Sequence, residues 1–274
     1  MTAYAKILPE APAASGRVKI GVENLSYTYL TAAGETPALQ NLDFNVRAGE
    51  FCSIVGPSGC GKSTLLSLLS GLMQPTDGQV LLDGARISRP DGKVGLFLQK
   101  DHLFDWRTVL QNAELGLEII GNSTAEARRK AHQLLETYGL GAFKNSYPHQ
   151  LSGGMRQRVA LIRTLATDPD ILLLDEPFSA LDYQTTLVLE RDVHAIIRAN
   201  RKTALLVTHD IEEAVSMSDR VIVLSNRPAR VKKIYDIALT VRGERTPMTS
   251  RDAPEFRSYC KSIWEDLEVE QRTD

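Results

Sequence analysis

Cysteine and long apolar runs are both scarce in this sequence. Its 274 residues include three cysteines, Cys52, Cys60 and Cys260, and their spacing offers neither a CxxC pair nor a His/Cys set suited to a metal ion. We therefore expect a protein of a reducing compartment, without a disulfide framework. Because no window reaches the roughly 18 apolar residues that can span a bilayer, any role at a membrane is expected to require a partner protein.

An excess of charge of one sign is missing as well. Lys and Arg number 32 and Asp and Glu number 34, which excludes a polybasic nucleic-acid binder, and we expect no nucleic-acid partner. Residues 1–16, MTAYAKILPEAPAASG, lack the basic start and continuous apolar core of a signal peptide, and we interpret them as a flexible tail. The chain length suits one large α/β domain better than two independent catalytic domains.

Short apolar runs alternate with helical patterns along the chain. This alternation is typical of βαβ units, and runs that are almost continuously apolar suit parallel strands covered on both faces. The sequence therefore predicts an α/β fold with a mostly parallel sheet. The predicted buried strands are residues 51–55 (FCSIV), 94–98 (VGLFL), 171–175 (ILLLD), 204–208 (ALLVT) and 221–224 (VIVL).

Three other segments complete the predicted architecture. Residues 18–46 have alternating character with a break at TAAGETP, which predicts an N-terminal antiparallel β subdomain. Residues from about 100 to 165 carry helical patterns and are predicted to form a helical subdomain inserted in the core. After a short strand at residues 230–236, we expect residues 241–274 to form a short C-terminal helical extension, with its last helix from residue 254 to about residue 269.

A glycine-rich loop predicts binding of ATP phosphates. GPSGCGKST has the pattern GxxxxGK[ST], directly after an apolar strand and directly before the helical run TLLSLLSGL. Its glycines allow successive N–H groups to point inward, and the following helix adds the positive end of its dipole. Lys62 is expected to reach the β and γ phosphates, and the Ser63 hydroxyl to bind Mg²⁺. The loop consists of Gly56, Pro57, Ser58, Gly59, Cys60, Gly61, Lys62, Ser63 and Thr64.

Two further motifs carry chemistry. ILLLDEP delivers two acids to the carboxyl end of a buried strand, where open α/β sheets bind their ligands. Asp175 is expected to hold Mg²⁺ through water, and Glu176 to orient and deprotonate the attacking water. LSGGMRQR, residues 151–158, puts a serine and two glycines at the start of a helix, which alone is as consistent with a simple helix cap as with a second anion-binding end.

Together these motifs closely resemble the nucleotide-binding subunits of ABC transporters, over nearly all of residues 17–240. GPSGCGKST looks like the family's Walker A loop, ILLLDE like its Walker B strand, and LSGGMRQR like its signature motif. The resemblance implies a P-loop NTPase core, the ABC ATPase domain, with ATP and Mg²⁺ as cofactors.

The resemblance also assigns single residues. Gln99, at the end of VGLFLQ, matches the Q-loop glutamine that senses Mg²⁺ and the γ-phosphate, and His209 in LLVTHD matches the switch histidine. SALD, which ends at Asp182, matches the D-loop. Tyr29 is the best match for the aromatic residue that stacks on adenine, and Tyr27 remains an alternative.

In related proteins two subunits form a head-to-tail dimer, and each supplies half of two sites. The resemblance therefore implies a homodimer in which Ser152, Gly153 and Gly154 of one chain close over the ATP bound by the Walker A loop of the other. ATP would join the subunits, and its hydrolysis would reopen the dimer.

The segment after Gln99, KDHLFDWRTVLQNAELGLEI, is predicted to receive a helix of a transmembrane permease subunit. Leu103, Phe104 and Trp106 would serve as anchors there, or they would simply pack the helical insertion. This segment, together with SNRPARV at 225–231, resembles the importers for nitrate, sulfonates and taurine, although Asp105 stands where a proline is usual. The short C-terminus differs from the sugar and sulfate types, which carry an added regulatory domain.

Three classes of function follow from these observations. The first is the ATPase subunit of an importer for a small anion, peripheral on the cytoplasmic face of the inner membrane and indirectly served by a solute-binding protein. The second is a soluble ABC ATPase acting on DNA or ribosomes, which is disfavoured because neither a long coiled-coil insertion nor a tandem second ATPase is present. The third, an inactive scaffold, would require the loss of Glu176 or His209, and both are present.

Overall fold

Two β-sheets form the framework of this protein in a computed structural model that describes residues 16–32, 34–179 and 182–271. The smaller sheet has four antiparallel strands in the order β2-β1-β4-β5. Its strands are β1 (Val18–Thr31), β2 (Gly34–Arg47), β4 (Asp77–Leu82) and β5 (Ala85–Arg86).

The larger sheet has six strands in the order β10-β9-β3-β8-β7-β6. Neighbours from β9 to β6 run parallel, and β10 is antiparallel to β9. This mostly parallel sheet, with the separate antiparallel sheet and the helices, confirms the predicted fold class. Its strands are β3 (Phe51–Val55), β6 (Val94–Phe97), β7 (Ile171–Asp175), β8 (Thr203–Thr208), β9 (Arg220–Leu224) and β10 (Val231–Asp236).

Helices follow most of the parallel strands, and several begin at a side-chain cap. Thr108, Thr124 and Asp182 each accept a hydrogen bond from a backbone N–H in the first turn of the helix they precede. In the described residues, no helix combines the length and the hydropathy required to cross a membrane. The helices are α1 (Lys62–Leu69), α2 (Val109–Ile119), α3 (Ala125–Thr137), α4 (Gly153–Ala166), α5 (Tyr183–Ala199), α6 (Ile211–Met217), α7 (Pro247–Arg251) and α8 (Phe256–Gln271).

The core lies on both faces of the central strands. On one face, Ile54 and Leu173 pack with α1 and with the antiparallel sheet. On the other face, Leu172 and Leu174 pack against α4 and α5. Full burial of a leucine or isoleucine side chain stabilises a fold by about 1.5–3 kcal/mol, so these strands hold the loops at their carboxyl ends on a stable base.

The strand predictions agree with the structure to within one residue at each end, and the antiparallel subdomain differs more. The predicted strand at 94–98 ends at Phe97, because Leu98 is 43% exposed and leaves the sheet. The TAAGETP segment is no extended break, since β2 begins at Gly34 and Glu35 already pairs with Leu30. Strands β4 and β5 were not predicted, yet β4 pairs directly with β1.

Helices α2, α3 and α4 pack on one another around Val109, Leu135 and Val159, within the segment predicted as a helical subdomain. The domain boundaries at 17–240 and 241–274 remain predictions. The predicted flexible tail lies, apart from Gly16, outside the described residues.

Candidate active site

The glycine-rich loop connects β3 to α1 and curls tightly between them. Gly59 and Gly61 have φ angles of 76° and 121°, in the region that favours glycine. A Cβ on Gly61 would also lie 2.8 Å from Leu39 Cδ2, so a larger residue would be strained and crowded. Among the described residues, no side chain caps the start of α1, so the N–H groups of its first turn remain available to an anion.

Lys62 folds back over this loop. Its side chain is buried, and its Nζ donates hydrogen bonds to the carbonyl oxygens of Gly56 at 2.8 Å and Pro57 at 3.0 Å. One positive charge is thereby fixed among the loop's backbone groups. A concave loop that combines backbone N–H groups with a lysine fits a triphosphate.

Ser63 and Asp175 meet beside the loop, with 3.5 Å between Ser63 Oγ and Asp175 Oδ1. Burial raises the pKa of Asp175 and Glu176 raises it further, whereas the hydrogen bond from Ser63 and the charge of Lys62 lower it. In the described residues, no cluster of three or more His, Cys, Asp or Glu side chains could hold a metal ion. A hydroxyl with one carboxylate nevertheless fits Mg²⁺, which usually keeps several waters and binds substrate phosphates.

Glu176 lies at the centre of a polar cluster formed by three neighbouring strands. Its Oε2 lies 3.3 Å from Gln99 Nε2 and 3.2 Å from His209 Nδ1. Gln99 Nε2 also donates to Ser179 Oγ at 3.1 Å. Because β6, β7 and β8 are adjacent and parallel, the residues that follow them converge at one edge of the sheet. The structure therefore brings together Gln99, Glu176 and His209, which the sequence predicted to act together.

The backbone of Glu176 has a left-handed φ of 43°, which is uncommon for a residue other than glycine. Its N–H donates to Val207 O at 2.9 Å, and its carbonyl oxygen accepts from Ser179 Oγ at 3.1 Å. These bonds hold a conformation that costs about 1–3 kcal/mol when it is not supported. The turn thus directs the carboxylate toward Gln99 and His209.

Sequence reasoning missed the residues that hold the His209 loop. Thr208 Oγ1 donates to Glu213 Oε2 at 2.7 Å and accepts from Asp210 N at 3.0 Å. Asp210 in turn caps α6 by accepting from Glu213 N at 3.1 Å. The signal that could have found them is the acid three residues after Asp210, at the third position of a capped helix.

Tyr29 contacts the end of the glycine-rich loop. Its hydroxyl oxygen lies 2.9 Å from Thr64 Oγ1, and Tyr27 packs edge-on against its ring with 4.8 Å between centroids. Both tyrosines share one face of β1, which explains why the sequence alone did not separate them. The hydroxyl contact favours Tyr29 as the residue nearer to a nucleotide on the loop.

The signature residues begin α4, where Ser152 Oγ accepts from Met155 N at 3.3 Å. A Cβ on Gly154 would lie only 2.7 Å from Thr185 Cγ2, and Thr185 also donates its hydroxyl to Asp182 Oδ2 at 2.6 Å. Thr185 was not predicted, and it connects the signature to the D-loop. Ala180 and Leu181 of the D-loop lie outside the described residues.

The three predicted anchors of the docking segment differ in burial. Phe104 and Trp106 stack with 4.7 Å between ring centroids, and Trp106 is 73% exposed, whereas Leu103 packs into the apolar clusters beneath. Asn112 is fully buried and bonds the backbone of this segment through four contacts of 2.8–3.1 Å. The aromatic pair is therefore presented on a fixed loop, and Leu103 serves the core.

A glycine-rich loop on β3, with an acidic strand two positions along a parallel sheet, is the arrangement of an ATP-binding cassette. This chain belongs to the ABC transporter family, which it matches over residues 39–179. The predictions of ATP binding and ATPase activity are thereby confirmed. The roles of single residues remain predictions.

Similar proteins cover almost the whole chain. It is 43% identical to the uncharacterized ABC transporter ATP-binding protein YtlC of Bacillus subtilis, over 90% of this chain and 94% of that protein. It is 37% identical to the taurine import ATP-binding protein of Roseobacter denitrificans, over 92% and 96% of the two chains. It is 40% identical to the nitrate import ATP-binding protein of a Synechocystis species, over 88% and 92%.

A solved structure gives the same assignment for the fold. The dimeric post-hydrolysis state of the ATP-binding cassette MJ0796, bound to ADP and Pi, matches with a TM-score of 0.69 and 33% identity. The match covers 82% of this chain and all of that one.

Proposed function

We propose that this chain is the ATP-hydrolysing subunit of an ABC importer and works as a head-to-tail homodimer on transmembrane permease subunits. The observation that carries the proposal is the convergence of Gln99, Glu176 and His209 beside the loop that holds Lys62. A binding module without hydrolysis has no need for a carboxylate held between a histidine and an amide.

Binding of ATP is assigned to the loop and to α1. Residues 56–64 bind the phosphates through their backbone N–H groups, which Pro57 alone lacks, and through the ammonium group of Lys62, and Tyr29 stacks on adenine. Ser63, Asp175 and Gln99 would hold Mg²⁺, and the ion would neutralise phosphate charge. The proximity of Ser63 Oγ to Asp175 Oδ1, 3.5 Å apart, supports this pairing.

Hydrolysis is assigned to Glu176. Its Oε2 orients a water molecule and accepts a proton as the water oxygen bonds to the γ-phosphorus and the bond to the β-phosphate oxygen breaks. Gln99 and His209 fix the position of this oxygen atom, since each lies within 3.3 Å of it. His209 is also assigned a contact with the γ-phosphate.

The site is completed by a second copy of the chain. Ser152, Gly153 and Gly154, at the start of α4, and Asp182 are assigned to the ATP held by the partner copy. The dimeric state of the similar cassette supports this arrangement. Helix α4 then offers its positive end to the γ-phosphate from the side opposite Lys62.

The transported solute is assigned to the class of small anions such as taurine, other sulfonates or nitrate. Relatives named for import of taurine, nitrate and aliphatic sulfonates, at 34–40% identity, support this class. The chain would then lie peripherally on the cytoplasmic face of the inner membrane, and a separate solute-binding protein would deliver the anion.

The test is Glu176→Gln, with Glu212→Gln on the exposed face of α6 as the matched control. We expect phosphate release to fall by about 10²–10⁴-fold in Glu176→Gln, because the general base is lost, while ATP binding persists and a dimer accumulates. Phosphate release and size-exclusion chromatography with ATP measure the two effects, and the control should match the unmodified protein. A monomeric Glu176→Gln variant with full hydrolysis would refute the proposal.

A further inference from the structure

The loop between β9 and β10 has no role in the ATPase described above. It is closed on itself, since Ser225 N donates to Arg230 O at 3.0 Å and Arg230 N donates to Ser225 Oγ at 2.9 Å. We call residues 225–230 the β9–β10 loop. Its closure fixes the backbone from which its side chains extend.

The β9–β10 loop is attached to β2 beside the phosphate loop. Ala229 N donates to Ala38 O, and Gln40 N donates to Ala229 O, each at 2.9 Å. Leu39, between these two β2 residues, is the side chain that a Cβ on Gly61 would meet at 2.8 Å. Leu39 thus connects the β9–β10 loop, through its pairing with Ala229, to Gly61, the residue that precedes α1.

Arg227 extends from this loop toward Tyr29. Its Nε donates to Pro37 O at 3.1 Å, and its Cζ lies 5.9 Å from the centroid of the Tyr29 ring. In the part of the chain that the structure describes, this exposed guanidinium forms no ion pair with a carboxylate. Its aromatic partner is the tyrosine whose hydroxyl contacts Thr64.

We propose that Arg227 is a positioning residue for ATP, which holds the Tyr29 ring in the orientation that stacks on the base. The inference rests on the proposed nucleotide site. The Tyr29 ring is restrained by its T-shaped contact with Tyr27, at its hydroxyl by Thr64 and by the guanidinium of Arg227. A ring that is already ordered loses less freedom when a base stacks on it, so ATP binds more tightly.

The expected effect is modest and specific to the base. A cation near an exposed aromatic ring is worth about 0.5–1 kcal/mol, which corresponds to a two- to fivefold change in affinity. Because Arg227 acts through Tyr29, ligands that lack a base should not respond. Inorganic tripolyphosphate is such a ligand.

The experiment compares Arg227→Ala, Arg227→Lys and Tyr29→Ala with Arg230→Ala. Arg230 lies in the same loop, and its guanidinium donates to Gln40 Oε1 at 2.7 Å, so it is a matched control for loss of one loop charge. Equilibrium dialysis with labelled ATP in EDTA gives the Kd without hydrolysis, and competition gives the Kd of tripolyphosphate.

We expect Arg227→Ala to weaken ATP binding two- to fivefold, Arg227→Lys to recover part of the loss, and Arg230→Ala to be unchanged. Tripolyphosphate should bind all four variants as it binds the unmodified protein. In a Tyr29→Ala background, Arg227→Ala should cause no further loss.

Three results would overturn the inference. Equal weakening of ATP and tripolyphosphate by Arg227→Ala would assign the arginine to the phosphates, and an additive loss in the Tyr29→Ala background would show that it acts independently. An unchanged Kd in Arg227→Ala beside a weakened Tyr29→Ala would remove its role while the nucleotide site stands. Failure of the unmodified protein to bind ATP would instead refute the proposed function.

Discussion

The loop that carries His209 is held by a buried carboxyl group. Burial raises the pKa of Glu213 from 4.5 to about 8, while the hydrogen bond from Thr208 lowers it and the charges of Glu190 and Asp210 raise it again. Its Oε2 accepts from Thr208, and its Oε1 is buried with no hydrogen-bond partner among the described residues. Glu213 is therefore largely protonated in the fold at neutral pH.

This shift makes stability depend on pH. The folded pKa of Glu213 exceeds its unfolded value, so its contribution to stability is fully present below pH 4.5 and is lost as the pH rises toward about 8. The Glu213→Gln variant keeps an acceptor for Thr208 but has no proton to lose. We expect it to remove this contribution to the fall of the unfolding free energy with pH, roughly 1.4 kcal/mol per pH unit for one proton. Urea unfolding between pH 5 and pH 8 measures it.

The exposed neighbour Glu212 supplies the control for this prediction. The free energy of unfolding of Glu212→Gln should fall with pH as that of the unmodified protein does. If the free energy of unfolding of Glu213→Gln falls with the same slope against pH, then the carboxyl group of Glu213 is not the source of the pH dependence.

Residues that act within a local motif could be predicted from the sequence. Lys62 and Glu176 lie in motifs whose spacing determines their chemistry. Thr185 and Arg227 could not be predicted, because each acquires its role from a neighbour distant in sequence. Thr185 is placed against Gly154 by the packing of α5 on α4, and Arg227 is placed against Tyr29 by the pairing of its loop with β2.

At the scale of elements, the segment between β6 and α2 combines a fixed backbone with an exposed aromatic pair. Asn112 bonds it from α2, and Arg163 donates from α4 to the carbonyl oxygens of Asp101 and His102, each at 2.7 Å. Fixed exposed aromatic residues are typical of interface anchors. The pair thus supports the proposed contact with a permease.

We predict that Trp106→Ala preserves the ATPase rate of the isolated chain and weakens its assembly with the permease. Loss of an aromatic anchor costs about 1–2 kcal/mol or more, which corresponds to a five- to 30-fold weaker complex. Co-purification from cells that express the cognate permease, together with phosphate release, measures both effects. Trp264→Ala is the matched control, since Trp264 is 56% exposed on α8. Equal co-purification of both variants would contradict the docking role.

The parallel strands were predictable because each is a continuous apolar run bounded by polar residues. Strand β4 was not, since its sequence DGQVLL has only three apolar residues and its burial is partial. Its partner β5 has only two residues. Strand β4 owes its pairing to β1, and β5 pairs in turn with β4, so both form only when the antiparallel sheet assembles.

At the scale of the whole molecule, the C-terminal helices complete the core of the larger sheet. Phe256 and Ile263 pack with Val55, Val221 and Val223, in the strands that lead to the phosphate loop and to the β9–β10 loop. Helix α7 is attached to α5 by an ion pair of 2.8 Å between Arg251 and Glu190. The segment predicted as an extension therefore shares its hydrophobic contacts with the ATPase core.

Shared contacts predict a single cooperative unfolding transition. Ile263→Ala, at a fully buried position, should lower the free energy of unfolding by about 2–5 kcal/mol, whereas Ile119→Ala, where the residue is 75% exposed, should leave it nearly unchanged. Urea unfolding, followed both by circular dichroism and by loss of ATP binding, measures the unfolding of the whole chain and of the nucleotide site together. Because Ile263 packs beneath β3, both signals should shift to lower urea by the same amount. The opposite result would be an early transition in circular dichroism, with ATP binding lost only at the urea midpoint of the unmodified protein. It would show that residues 241–274 unfold independently of the site.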